Sequence, residues 1–83
     1  MQRTPPSQLR QVLATNVRRR REQLGLSQER LAAEASLDRT YVSQIERGVR
    51  NVSLDCLDKL AHGLSLEARD LLRPNGSAGE LKS

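Results

Sequence analysis

The chain has 83 residues, is 36% apolar, and holds one aromatic residue, Tyr41, one cysteine and one histidine. A core this small must be a compact helical one built from Leu, Ala, Val and Ile, and a large enzyme with a deep pocket does not fit the length. The net charge of +4 is uneven: residues 1–21 carry six Arg and no acid, whereas residues 22–53 and 54–83 each carry four bases against five acids. Such an Arg-biased asymmetry points to a polyanion partner, because guanidinium groups pair bidentately with phosphates and base edges.

Fourteen leucines favour helices over a sheet, and the lone Cys56 rules out an internal disulfide. One Cys and one His are too few for a four-ligand zinc site, so no metal is expected. No phosphate loop or paired carboxylates are present, which leaves no catalytic residue and no cofactor to propose. No apolar run reaches the length of a membrane span, and MQRTPPS lacks the hydrophobic stretch of a signal peptide, so a cytoplasmic protein without membrane contact is expected.

In chain order, a flexible arm is expected over residues 1–7, where the Pro pair opposes helix, then a folded body over 8–73 and a flexible tail over 74–83, rich in Gly, Ser and Asn. A first helix over residues 8–24 aligns Leu9, Leu13 and Val17, with Ser7 as N-cap and Gly25 as its stop. The four arginines 18–21 cover a whole turn, so one or two must turn inward along apolar neighbours. Ser27 caps a second helix over 28–35 with Leu31, Ala32 and Ala35 on one side, and Arg30 and Glu34 pair on the other. Asp38 caps a third over 39–47 with Val42 and Ile45 inward, ended by Gly48. Only three residues join the second and third helices, which forces a steep crossing. Ser53 caps a fourth helix over 54–62, Gly63 to Leu66 break the pattern, and Leu71 and Leu72 close a short fifth.

The stretch GLSQERLAAEASLDRTYVSQIERGVRNVSLDCLDKLA, within residues 17–72, resembles the helix-turn-helix of the Cro and phage-repressor type, the XRE family. More narrowly, LDRTYVSQIERGVRN is similar to the controller proteins of restriction-modification systems. The resemblance implies an all-α, five-helix, lambda-repressor-like DNA-binding domain acting as a homodimer on an inverted-repeat operator, and the narrower likeness implies an autoregulator of a restriction-modification system. It implies that Arg39, Thr40 and Gln44 read bases and, in the controller subgroup, that Arg39, Thr40, Tyr41, Ser43 and Arg50 face DNA. Their chemistry agrees: Arg39 suits guanine O6 and N7, Gln44 suits adenine, and the Thr40 methyl suits thymine. Gln28, Arg47, Arg50 and Asn51 are placed for phosphates. Arg21 and Glu46 match an internal ion pair of phage repressors and are read as architecture.

Leu64, Leu66, Leu71 and Leu72 are expected to form the dimer surface, which would set two recognition helices about 34 Å apart on palindromic DNA. Glu29 and Glu34 on the second helix are candidates for an RNA polymerase contact. Departures from the family pattern are Ser36 in the turn where Gly is usual, Arg20 for Leu, Val52 for Pro, Ser65 for Gly and Glu67 for Ser. The alternative reading is an antitoxin-like regulator whose main partner is a protein. An enzyme built on Cys56 and His62 is set aside, because six residues along one helix turn them about 120° apart.

Overall fold

The computed structural model describes residues 6–74. Its elements are α1 (Pro6–Gln23), α2 (Gln28–Ala35), α3 (Arg39–Glu46), α4 (Leu54–Leu64) and a 3-10 helix (Ala68–Leu72). The fold is all-helical as expected, but four α-helices are present among the described residues, not five. The last element is a five-residue 3-10 turn, too short to gain from α-helical propagation.

The expected arm and tail fall largely outside the described residues, but its inner edge is corrected. Pro6 and Ser7 belong to α1, because proline in a first helical turn gives up an N–H that would have no partner there. Ser7 therefore lies inside the helix and not at its cap. Ser27 and Ser53 do cap, accepting from the N–H groups of Arg30 and Cys56 at 3.0 and 3.1 Å. Asp38 occupies the cap position of α3, yet its carboxylate makes no capping hydrogen bond.

Two serines carry the left-handed backbone that glycine usually takes. Ser36, after α2, has φ 57°, and Ser65, after α4, has φ 57°. Each closes its helix: Leu37 N–H donates to Ala32 O at 2.8 Å and Leu66 N–H to Ala61 O at 2.9 Å. Gly63, read from the sequence as part of a break, lies inside α4. A Cβ there would meet Leu31 Cδ1 at 3.1 Å and the Ala35 Cβ at 3.2 Å, so the glycine is a packing gap that lets α2 lie close on α4.

The core joins all five elements through fully buried Val17, Leu31, Val42, Ile45, Leu60, Leu64 and Leu71. Leu9, expected in the inward stripe of α1, is 38% exposed at its rim. Two polar side chains fasten the ends of elements to α1. Asn16, buried, donates from Nδ2 to the carbonyls of Leu71 and Arg73 at 2.9 and 2.8 Å, holding down the 3-10 helix. Arg20 donates from Nε to Leu64 O at 2.9 Å, satisfying a carbonyl at the end of α4. That contact explains an arginine where many XRE-type sequences hold Leu.

Candidate nucleic-acid interface

The angle between α2 and α3 is set by three linking residues and by the apolar wedge of Leu31, Ala32, Ala35, Val42 and Ile45, all buried. Behind that wedge lies a polar hub. Glu46, 3% exposed, receives Arg21 through two contacts, Nε to Oε2 at 2.7 Å and Nη2 to Oε1 at 3.0 Å. Arg21 also donates from Nη1 to Leu26 O at 2.9 Å, Arg18 donates from Nη2 to Glu46 O at 3.1 Å, and Gln28 donates from Nε2 to Glu46 Oε1 at 3.0 Å. The hydrogen bond with Glu46 raises the Arg21 pKa further, against the opposing effect of burial. One buried carboxylate thus ties α1, α2 and α3 together, with Arg21 and Glu46 in contact as the resemblance implies. The reading of the Gln28 side chain as a phosphate contact gives way here, since its amide is turned inward onto Glu46.

On the outer side of α3, Arg39 and Thr40 are exposed at its first turn, Ser43 and Gln44 are half-buried, and Arg47 is exposed at the end. Tyr41 is half-buried: its ring packs on the edge of the core while its hydroxyl donates to Asn51 O at 3.4 Å. Arg50, in the loop after α3, lies over that ring with Cζ 4.7 Å from the centroid and donates from Nη1 to Gln44 Oε1 at 3.2 Å. Asn51 accepts on Oδ1 from Arg10 Nη1 at 2.7 Å, a link from α1 to this loop. Arg39, Thr40, Tyr41, Ser43, Gln44, Arg47, Arg50 and Asn51 therefore fall on one continuous surface made by α3 and the loop that follows. Sequence reasoning missed Arg10, Asn16 and Arg20, whose partners lie 41 to 57 residues away and leave no local signal.

Cys56 borders this surface. The Ser53 and Tyr41 hydroxyls hold its thiol below the ordinary range, and the same contact with Cys56 pushes the Tyr41 phenol up. His62 lies in a different hollow, with Glu34 and Glu67, so the two residues do not share a site.

Burial corrects two of the four leucines expected at a dimer surface. Leu64 and Leu71 are wholly inside the chain's own core, and Leu66 and Leu72 are half-buried against it. Leu72 lines one wall of an apolar groove with Leu9, Leu13, Val52 and Leu57, and Leu54, 82% exposed, stands at its edge.

Comparison with known proteins gives this architecture a family. The helix-turn-helix family pattern matches residues 17–71. Control protein C.BamHI of Bacillus amyloliquefaciens is 55% identical over 47 residues, which span 57% of this chain and 58% of that protein. The crystal structure of the hypothetical transcription factor NHTF from Neisseria superposes with a TM-score of 0.86 at 41% identity, covering 98% of this chain and 94% of that one. The restriction-modification controller protein C.Esp1396I bound to a 19 base pair DNA duplex superposes with a TM-score of 0.70 at 33% identity, over 76% of this chain and 84% of that one. With a helix-turn-helix whose wedge, hub and outer surface are all in place, the chain belongs to the XRE-type helix-turn-helix family, among relatives that are restriction-modification controller proteins.

Proposed function

We propose that this protein is a sequence-specific double-stranded DNA-binding transcriptional regulator, an autoregulatory controller of a restriction-modification system acting as a homodimer on an inverted-repeat operator. The observation that carries the reading is the exposed first turn of α3, where Arg39 and Thr40 stand free of the core on a helix braced from behind by Glu46. A helix so presented enters the major groove with its N-terminal residues on base edges while α2 crosses the backbone. Arg39 reads guanine, Thr40 contacts a thymine methyl, and Ser43, Gln44 and Tyr41 border the same groove. Arg47, Arg50 and Asn51 supply charge and hydrogen bonds toward phosphates, so affinity falls steeply as salt rises. The likeness to controller proteins, one of them bound to duplex DNA, supports the choice of ligand and of regulated system.

The dimer forms through the groove beside Leu54. A protruding leucine next to an apolar hollow on the same patch is self-complementary, as a two-fold interface requires: Leu54 of each copy fills the groove of the other. The acidic residues of α2, Glu29 and Glu34, face solvent and form the surface offered to RNA polymerase; Glu34 is shared there with Arg30 at 3.1 Å.

The test is titration of duplex DNA from the chain's own upstream region at several salt concentrations, with wild type and Arg39→Ala. Wild type binds with a steep negative salt slope, and Arg39→Ala, which folds normally, loses roughly tenfold or more in affinity. Binding absent even at low salt, or unchanged in Arg39→Ala, would overturn the reading.

A further inference from the structure

A glutamine that reads a base in the major groove is ambidextrous: its amide both donates and accepts. Adenine uses both halves, because its N6 amino group donates to Oε1 while its N7 accepts from Nε2. Guanine offers only acceptors there, O6 and N7. Which base a glutamine selects therefore depends on which half of its amide is directed at the base.

In this protein the Gln44 oxygen is engaged. Arg50 Nη1 donates to Gln44 Oε1 at 3.2 Å. The guanidinium is not a loose neighbour, since it lies over the Tyr41 ring at 4.7 Å. That ring packs against the core and its hydroxyl is tied to the Asn51 carbonyl at 3.4 Å, while the Asn51 side chain is tied to Arg10 at 2.7 Å. A chain of supports thus runs from α1 through the loop to the arginine that holds the Gln44 amide. Thr40, Tyr41, Gln44 and Arg50 line one shallow open hollow on the outer surface of α3.

We infer that Arg50 is a specificity-determining residue that commits Gln44 to guanine in place of adenine at the base pair the two share. The inference rests on the proposed role of α3 as the recognition helix. With Oε1 turned to a cation, Gln44 presents its Nε2 donors to the groove, and Arg50 adds the N–H groups that Gln44 does not use. Two donor groups side by side match O6 and N7. An adenine at this place would have to share Oε1 with the guanidinium and would bring its N6 amino group against the N–H groups of Arg50, donor facing donor beside a positive charge. Arg50 thereby acts on base choice in addition to attracting phosphate, and the adenine preference that Gln44 has in isolation is reversed.

The test is sequencing of the duplexes that the full chain retains from a randomised double-stranded library, for wild type, Arg39→Ala, Gln44→Ala and Arg50→Ala. Each variant is first checked for wild-type helix content; all three residues lie on the surface helix or its following loop. Wild type selects guanine over adenine by roughly tenfold at one base pair whose preference disappears in Gln44→Ala. Arg50→Ala brings that same base pair to parity or to adenine and leaves the guanine preference that depends on Arg39 intact. Uniform weakening of all sequences by Arg50→Ala, with every base preference unchanged, would show a phosphate contact only and overturn the inference. So would adenine selected by wild type at the Gln44-dependent base pair. Loss of the inference together with the recognition-helix reading has a separate signature: a wild type without base preference, or preferences that Arg39→Ala leaves untouched.

Discussion

Two arginine-centred assemblies lie on opposite sides of α3, and they are built to different standards. Behind the helix, Arg21 meets a carboxylate that is 3% exposed, through two contacts, with Gln28 and Arg18 completing its shell. In front, Arg50 stacks on Tyr41 and makes a hydrogen bond to an amide at the open surface. A buried charge pair holds firmly because losing one member strands the other in a medium that solvates it poorly. An exposed stack adds less to the stability of the fold, since water replaces each contact at little cost. The protein uses the first to fix the angle at which α3 is presented and the second to orient the Gln44 amide on its outer surface.

That contrast orders the expected effects of substitution. The largest follows Arg21→Ala, which leaves Glu46 buried without its principal partner and should destabilise the fold by about 3–5 kcal/mol, read as the shift in a chemical denaturation midpoint. A loss below about 1 kcal/mol would erase the distinction between the two assemblies. Asn16→Ala comes next: two backbone carbonyls lose their donor, and the expected cost is about 1–3 kcal/mol by the same measurement, with the amides of the 3-10 helix exchanging faster. The smallest effect on the folded chain is that of Leu54→Asp, a change at a side chain 82% exposed, which should move stability by no more than about 0.5 kcal/mol. Its expected consequence is on assembly, with sedimentation reporting monomer where wild type reports dimer. Dimer persisting in Leu54→Asp would place the interface elsewhere.

Local signals made much of this fold readable in advance. The bounds of α2 matched, as did the capping serines Ser27 and Ser53 and the wedge of small and branched residues, because caps and helical periodicity act within a few residues. The Arg21–Glu46 contact came from the resemblance and not from any pattern in the residues themselves. What was misread shares one physical cause. Leu64, at the end of α4, and Leu71, in the 3-10 helix, read as dimer surface from the sequence, yet they fill the centre of the core once α1 packs across them. Gly63 looked like a break, but its meaning lies in the approach of α2, visible only in three dimensions. Gln28 looked outward until Glu46, eighteen residues on, was seen to claim its amide. Long-range polar pairs such as Arg10 with Asn51 have no periodic trace at all.

The charge asymmetry of the sequence also takes on a different meaning. Six arginines and no acid in residues 1–21 mark that end as the basic one. Four of them make contacts within the fold: Arg10 with Asn51, Arg18 and Arg21 with Glu46, and Arg20 with Leu64 O. The exposed surface of α3 lies in residues 22–53, where acids outnumber bases by one, because Glu46 is buried behind it and the acids of α2 point elsewhere. Net charge along the chain is thus a poor guide to which arginines the folded surface presents.

On the proposed reading, DNA is read by α3 and the loop after it, and not merely attracted by the basic end of α1. Backbone amide chemical shifts of the isotope-labelled protein, followed while duplex DNA from its own upstream region is added, test this residue by residue. The largest shifts should fall on Arg39 to Gln44 and on Arg50 and Asn51, with smaller, salt-sensitive ones at the start of α2. Shifts centred on Arg18 to Arg20 that leave the first turn of α3 unmoved would contradict the account.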